Sequence, residues 1–229
     1  QDLIDQKQKR KLLLENNRRE QKKLIEEQNQ KNKILTELKK KSKNFNKQIK
    51  IKQSQAESID KEIQKLIRLA IASSNKKEKN KLSNVFKLTP EAKILDDNFK
   101  ANKGKLPWPV IQGVVIQKYG TQTHPIVKTT KIKSTGITIA SINNAKVRTV
   151  FEGEVMSILS FKNSNPTVLV KHGNYITAYK NLSKVYVKKG QYLNSKEIIG
   201  EIFTNSQTGR TALQFSVFNA MKPENPSFW

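Results

Sequence analysis

The sequence predicts an α+β chain, a long coiled-coil helical arm followed by a mainly antiparallel β-sandwich. Three observations predict it. The nine glycines stand at 104, 113, 120, 136, 153, 173, 190, 200 and 209, and none precedes 104. Of 16 aromatic residues, only Phe45, Phe86 and Phe99 precede residue 106. Six of the seven prolines lie at or beyond Pro107. The first hundred residues thus lack turn formers and the rest is rich in them, which separates helix from strand and turn. The expected organisation is an arm over 1–74, a charged linker over 75–88, a short amphipathic helix over 89–104 and a β domain over 105–229.

The arm carries an apolar seam. Positions 35, 38, 42, 45, 49, 52, 56, 59, 63, 66 and 70 follow 3-4 spacing, and nine of the eleven are apolar. Leu35, Leu38, Phe45, Ile49, Ile59, Ile63 and Leu66 are its large members, as a coiled-coil seam requires. Extended backward, the register meets only Leu3, Leu14 and Leu24 as apolar residues. Residues 1–31 would therefore pack poorly or need a partner stretch that the chain lacks. A solvated single helix laced with charge is the alternative. The helix should stop near Ser73-Ser74-Asn75, and the polar run after it reads as linker.

Thr89 is an expected N-cap, with Pro90 at the first helical position and Glu91 in the first turn. Ala92, Leu95 and Phe99 then line one face at i, i+3 and i+7. So short a helix cannot bury that face alone and must dock on something. From Trp108 onward the chain reads as short β-rich units broken by Gly, Asn or Pro. They include Val114 to Ile116, Gly136 to Ile139, Val147 to Phe151, Val155 to Phe161, Thr167 to Val170, Tyr175 to Tyr179, Ile198 to Phe203 and Leu213 to Phe218.

Composition removes several classes of chemistry. Cysteine is absent, so disulfides, thiolate metal sites and cysteine nucleophiles are excluded. The only histidines are His124 and His172, which nearly excludes a multi-histidine metal site. No run of about 18 apolar residues occurs, so no membrane span is expected. The chain opens on Gln1 with neither a Met nor a signal peptide, which reads as a processed or truncated piece of something longer. The 44 Lys+Arg against 19 Asp+Glu give a net charge of +25. The share is +15 for residues 1–105 and +10 for 106–229, so neither part is neutral. A pI near 10.1 admits a nucleic-acid binder, but no nucleic-acid motif appears and charge is spread around the arm.

An ordered series of short segments carries a resemblance. Trp108-Pro109-Val110 leads to Lys118-Tyr119-Gly120 and His124-Pro125. Thr135-Gly136-Ile137, Phe151-Glu152-Gly153-Glu154-Val155 and Val170-Lys171-His172-Gly173-Asn174-Tyr175 follow. Then come Tyr179-Lys180-Asn181-Leu182-Ser183, Leu213-Gln214-Phe215 and a closing Asn225-Pro226-Ser227-Phe228-Trp229. Over residues 106–229 the series resembles the LytM-type (lysostaphin-type) zinc endopeptidase domain, and with the arm it is most similar to the murein hydrolase activator EnvC family. The resemblance implies a β domain of that fold. Its zinc peptidases hold metal with His-x-x-x-Asp and the second His of His-x-His, and use a further His in Tyr-x-His-Leu. Laid on this chain, those positions fall on Ser134, Thr138, Asn181, Ala212 and Gln214. All five differ from the pattern, and none offers an imidazole or carboxylate. Without a metal-activated water, hydrolysis lacks its nucleophile. No cofactor and no catalytic residue are therefore expected. His124 and His172 match family positions that are not metal ligands.

The resemblance further implies a non-enzymatic activator. Its β domain would bind an N-acetylmuramoyl-L-alanine amidase and its coiled coil the extracytoplasmic part of FtsEX, in the periplasm at the division septum. The former active site, Ser134, Thr138, Asn181, Ala212 and Gln214, would be the partner groove. Ala92, Leu95 and Phe99 would belong to a helix that occludes it, the alternative being a helix that caps the domain. The other functional reading is a peptidoglycan-binding module that kept affinity and lost catalysis.

Overall fold

The computed structural model describes residues 2–75, 85–124, 127–128, 130–160 and 164–229. Most of the expected linker, Pro125 of the His-Pro pair and the Phe161 end of one expected strand lie outside the described residues. The chain divides into two units, Gln1–Ser54 and Gln55–Trp229.

One helix, α1 (Asp2–Asn75), begins with Asp2 and Asp5 in its first turn, where acidic groups suit the helix dipole. No Gly or Pro interrupts it. The first unit takes in α1 as far as Ser54. Leu35, Leu38 and Phe45 of the expected seam are each more than half exposed there, as are Leu3, Leu14 and Leu24. Ile49 is half-buried.

In the second unit α1 continues to Asn75. The Asn75 side chain accepts from Lys87 N (2.9 Å) and donates to Val85 O (3.0 Å), so the last residues of the expected linker are tied to the helix end. Helix α2 (Pro90–Ala101) is capped by Thr89, whose Oγ1 accepts from Ala92 N at 3.3 Å.

The strands follow in order: β1 (Val114–Gln117), β2 (Gly120–Thr123), β3 (Lys131–Ser134), β4 (Ile137–Ser141), β5 (Lys146–Arg148), β6 (Gly153–Leu159) and β7 (Thr167–His172). Then come β8 (Tyr175–Lys180), β9 (Leu182–Val185), β10 (Tyr192–Leu193), β11 (Ile198–Ile202), β12 (Thr211–Asn219) and β13 (Lys222–Glu224), with a last 3-10 turn Pro226–Phe228. An eight-stranded sheet runs β1-β4-β12-β8-β7-β6-β10, with β13 added beside β12. A three-stranded sheet β5-β11-β9 and the hairpin β2-β3 accompany it, and every pairing among the described residues is antiparallel.

Alternation of side chains assigns the two faces of the large sheet. The core face carries Ile137, Ile139, Val168, Val170, Tyr179, Leu213, Phe215 and Val217. It packs with Val147, Leu182, Ile199 and Ile202 of the small sheet. The other face carries Leu169, Ile176, Ala178 and Phe218, packed with Ile63, Ile67 and Ile71 of α1 and with half-buried Ile59 and Leu66. We call it the helix face. The sheet thus takes the place of a partner helix for the later half of the expected seam. Strands β7 and β8, covered on both faces, are buried almost without break, as strands beneath two layers must be.

Candidate functional site

Five strands lay a row of polar residues across the helix face. Gln117 of β1 pairs with Thr138 of β4, Thr138 with Gln214 of β12, Gln214 with Lys180 of β8, and Lys180 with Thr167 of β7. Antiparallel register makes these residues neighbours, with opposed Cβ atoms about 4.5–5.5 Å apart. Thr138 is buried and donates its hydroxyl to Gln117 Oε1 at 3.2 Å. Gln214 is exposed, and Ala212, two residues back, shares its face and pairs with Ala140.

Lys180 ends β8 with its side chain only 7% exposed. Its Nζ donates to Asp60 Oδ1 of α1 at 2.5 Å, and Asp60 Oδ2 accepts from Thr135 Oγ1 at 2.8 Å. A carboxylate from the helix is therefore held at both oxygens, once by an ammonium and once by a hydroxyl. Gly136, next to Thr135, keeps the turn close to β12. A Cβ there would run into Phe215 O and Ser216 Oγ.

The remaining expected site residues make local bonds. Ser134 ends β3, where its Oγ donates to Gly136 O (2.8 Å) and accepts from Gly136 N (3.3 Å). Asn181 follows Lys180 at φ 72°, a left-handed conformation that Asn tolerates better than most residues. Its Nδ2 donates to Ala212 O (2.7 Å) and its Oδ1 accepts from Asn165 Nδ2 (2.6 Å). Thr138, Ala212 and Gln214 thus gather on one face, Asn181 is tied beside them, and Ser134 sits in the turn that carries Thr135. Sequence reasoning missed Lys180, Asp60, Thr135 and Gln117. The one available signal was a lysine closing the otherwise apolar and hydroxyl-bearing run Tyr175 to Tyr179.

The expectation for α2 requires correction. Phe99 is fully buried on the core face, not on the helix face. Its ring stacks on His172 (centroids 4.8 Å, 12°) and Tyr175 (5.0 Å) and lies 4.8 Å from Trp229. Asp96 accepts from Asn174 N at 2.6 Å, fixing α2 to the turn between β7 and β8. Ala92 and Leu95 are half-buried on the same short helix. An aromatic nest supplies the apolar cover that α2 needs, while the isoleucine stripe of α1 takes the face that α2 was expected to occlude.

The histidines have bonding roles. His172 lies between Glu152 O (2.5 Å) and Thr177 Oγ1 (2.9 Å), and burial lowers its pKa to about 4, so the ring is neutral. His124 Nδ1 accepts from Val127 N at 3.1 Å. Among the described residues, no group of three or more His, Cys, Asp or Glu is gathered. A cavity of about 250 Å³ also opens against Trp108, Ile137, Val150, Phe215 and Trp229, and its lining carries no ionisable side chain.

The family model for Peptidase family M23 matches residues 132–226. An uncharacterized protein of Haemophilus influenzae is 23% identical over 120 residues, which are 52% of this chain and 28% of that protein. The chain thus spans little more than a quarter of the curated relative that it matches. A zinc containing peptidase from Vibrio cholerae gives a TM-score of 0.46 at 23% identity, over 52% of this chain and 38% of that one. SpoIIQ, solved in the SpoIIQ–SpoIIIAH pore forming complex, gives 0.45 at 20% identity, over 53% and 87%. Lysostaphin from Staphylococcus simulans gives 0.42 at 18% identity, over 50% and 48%. Residues 132–226 are a Peptidase family M23 (LytM-type) domain.

Proposed function

We propose that the chain is a non-enzymatic activator in the manner of the EnvC family. It switches on a cell-wall N-acetylmuramoyl-L-alanine amidase during septal peptidoglycan splitting, in the periplasm. The observation that carries this reading is the polar row itself. Where the family's peptidases place metal ligands, this chain has Ser134, Thr138 and Gln214. The family implies zinc, and these residues do not fit it. Thr138 and Ser134 offer neutral hydroxyls already bonded to Gln117 and Gly136, and Gln214 offers an amide. Beside Gln214 lies the Lys180 ammonium, and the nearby Asp60 carboxylate is already held at both oxygens by it and by Thr135. We derive no hydrolytic step from this site.

In this reading the helix face receives the amidase, and residues 59–71 of α1 restrain it. The part that sequence reasoning gave to Ala92, Leu95 and Phe99 passes to Ile63, Ile67, Ile71 and Asp60. Displacing α1 costs the burial of three isoleucines, about 1.5–3 kcal/mol each. A docked helix therefore keeps the binding-competent fraction small until a signal lifts it. The arm, continuous with that segment, is where FtsEX would act. Net charge favours a second reading. The +10 over residues 106–229 suits an anionic envelope polymer, which favours a peptidoglycan-binding module as the alternative. Release of dye from labelled cell walls by an amidase, with and without this chain, separates the two.

A further inference from the structure

Lys180 deserves a role beyond holding α1 in place, because an ion pair is a poor device for that purpose. Burying Lys180 and Asp60 removes both from water, and such a pair stabilises little more than apolar residues of the same shape. The isoleucines that follow already supply the adhesion. What the pair does supply is discrimination. A buried ammonium that loses its carboxylate is left unpaired, which is far more costly than never having been buried. Any occupant of this face without an acid at that point therefore meets a penalty, and an occupant with one does not.

The two halves of the pair have different origins. The ammonium and the Thr135 hydroxyl come from β8 and the turn after β3, and stay with the sheet. The carboxylate comes on a helix, followed at three, seven and eleven positions by Ile63, Ile67 and Ile71. Those side chains fill the apolar bed of Leu159, Leu169, Ile176, Ala178 and Phe218. The sheet therefore presents a charged cradle at one end and an aliphatic bed beyond it, both complementary to an amphipathic helix. We propose that Lys180 and Thr135 form a carboxylate cradle, filled in cis by Asp60. The cradle selects, as trans occupant of this face, a partner protein's helix bearing Asp or Glu followed by aliphatic residues at those spacings. The proposal rests on the reading that this face receives a partner, and it adds the chemistry by which the partner is chosen.

The test uses the full chain opened by Asp60→Asn, Ile63→Ser and Ile67→Ser. The probes are a labelled synthetic peptide matching residues 55–75 and its Asp60→Asn version, read by fluorescence anisotropy. The acidic peptide should bind at least tenfold tighter, and adding Lys180→Gln to the chain should erase the difference. Equal affinities, or a difference that survives Lys180→Gln, overturn the cradle. If the opened chain does not keep its β circular dichroism, the Asp60→Asn chain alone serves. Acetate, against chloride at equal ionic strength, should raise its melting temperature, and should not do so once Lys180→Gln is added. No acetate-specific rise overturns the proposal. A soluble muramyl pentapeptide that binds the opened chain while the helix peptide does not overturns the choice of a protein helix. A chain that discriminates the peptides yet activates no amidase keeps the cradle and removes the functional reading. Activation without discrimination does the reverse.

Discussion

Replacing Ile63 and Ile67 by serine should free the end of α1 from the sheet while leaving the sheet folded. Both side chains are fully buried against Leu169, Ile176, Ala178 and Phe218, and Ile71 is 3% exposed. At about 1.5–3 kcal/mol for each buried aliphatic side chain, the double substitution removes about 3–6 kcal/mol. At about 1.4 kcal/mol per factor of ten, the docked state loses a factor of about 10² to 10⁴. What remains is Ile71, half-buried Ile59 and Leu66, and the Asp60–Lys180 pair. The sheet keeps its other core, because the small sheet and α2 cover the opposite face. Hydrogen exchange reads the two separately. Amides of residues 59–71 should exchange faster by that factor, while those of β7 and β8 retain most of their protection. Unchanged protection over 59–71 would mean that the stripe does not hold the helix. Loss of protection in β7 and β8 to the same extent would mean that α1 is part of one cooperative core and cannot act as a separable restraint.

Two further outcomes follow from the core face. The folded pKa of His172, about 4, lies below the unfolded value of about 6.5, so folding opposes its protonation. Its contribution is full above pH 6.5 and is lost as pH falls from there through 4, to a total of about 3 kcal/mol. Urea unfolding should show this decline between pH 7 and 4, and a His172→Gln chain should lack it. Parallel pH profiles for the two chains would refute the assignment. Phe99→Ala should cost about 3–5 kcal/mol of stability by opening the aromatic nest, yet leave the exchange of residues 59–71 unchanged where the sheet stays folded. Faster exchange there would return α2 to the helix face.

The broad architecture was legible because it is written locally. A stretch without Gly and with Pro90 as its first proline can only be helix or disorder, and the seam decided for helix. Turn residues then mark out the antiparallel strands one by one. Thr138, Ala212 and Gln214, singled out by the order of the flanking motifs, share one face of the sheet. What each element packs against was not. Ile59, Ile63 and Leu66 fit a partner helix and a sheet equally, since an aliphatic stripe does not specify its counterpart. Phe99 meets His172, Tyr175 and Trp229, none of which has a local signature as its partner. Lys180 and Asp60 stand 120 residues apart, so their pairing exists only once the sheet is assembled.

We propose that this chain acts on the cell wall through an enzyme and not as one. Dye release from labelled walls tests it most directly, with zinc supplied and three samples compared: the chain alone, a purified envelope amidase alone, and the two together. The proposed role predicts no release by the chain, slow release by the amidase, and faster release by the mixture, fastest with the Ile63→Ser, Ile67→Ser chain. Release by the chain alone, unaffected by an amidase-specific inhibitor, would contradict it.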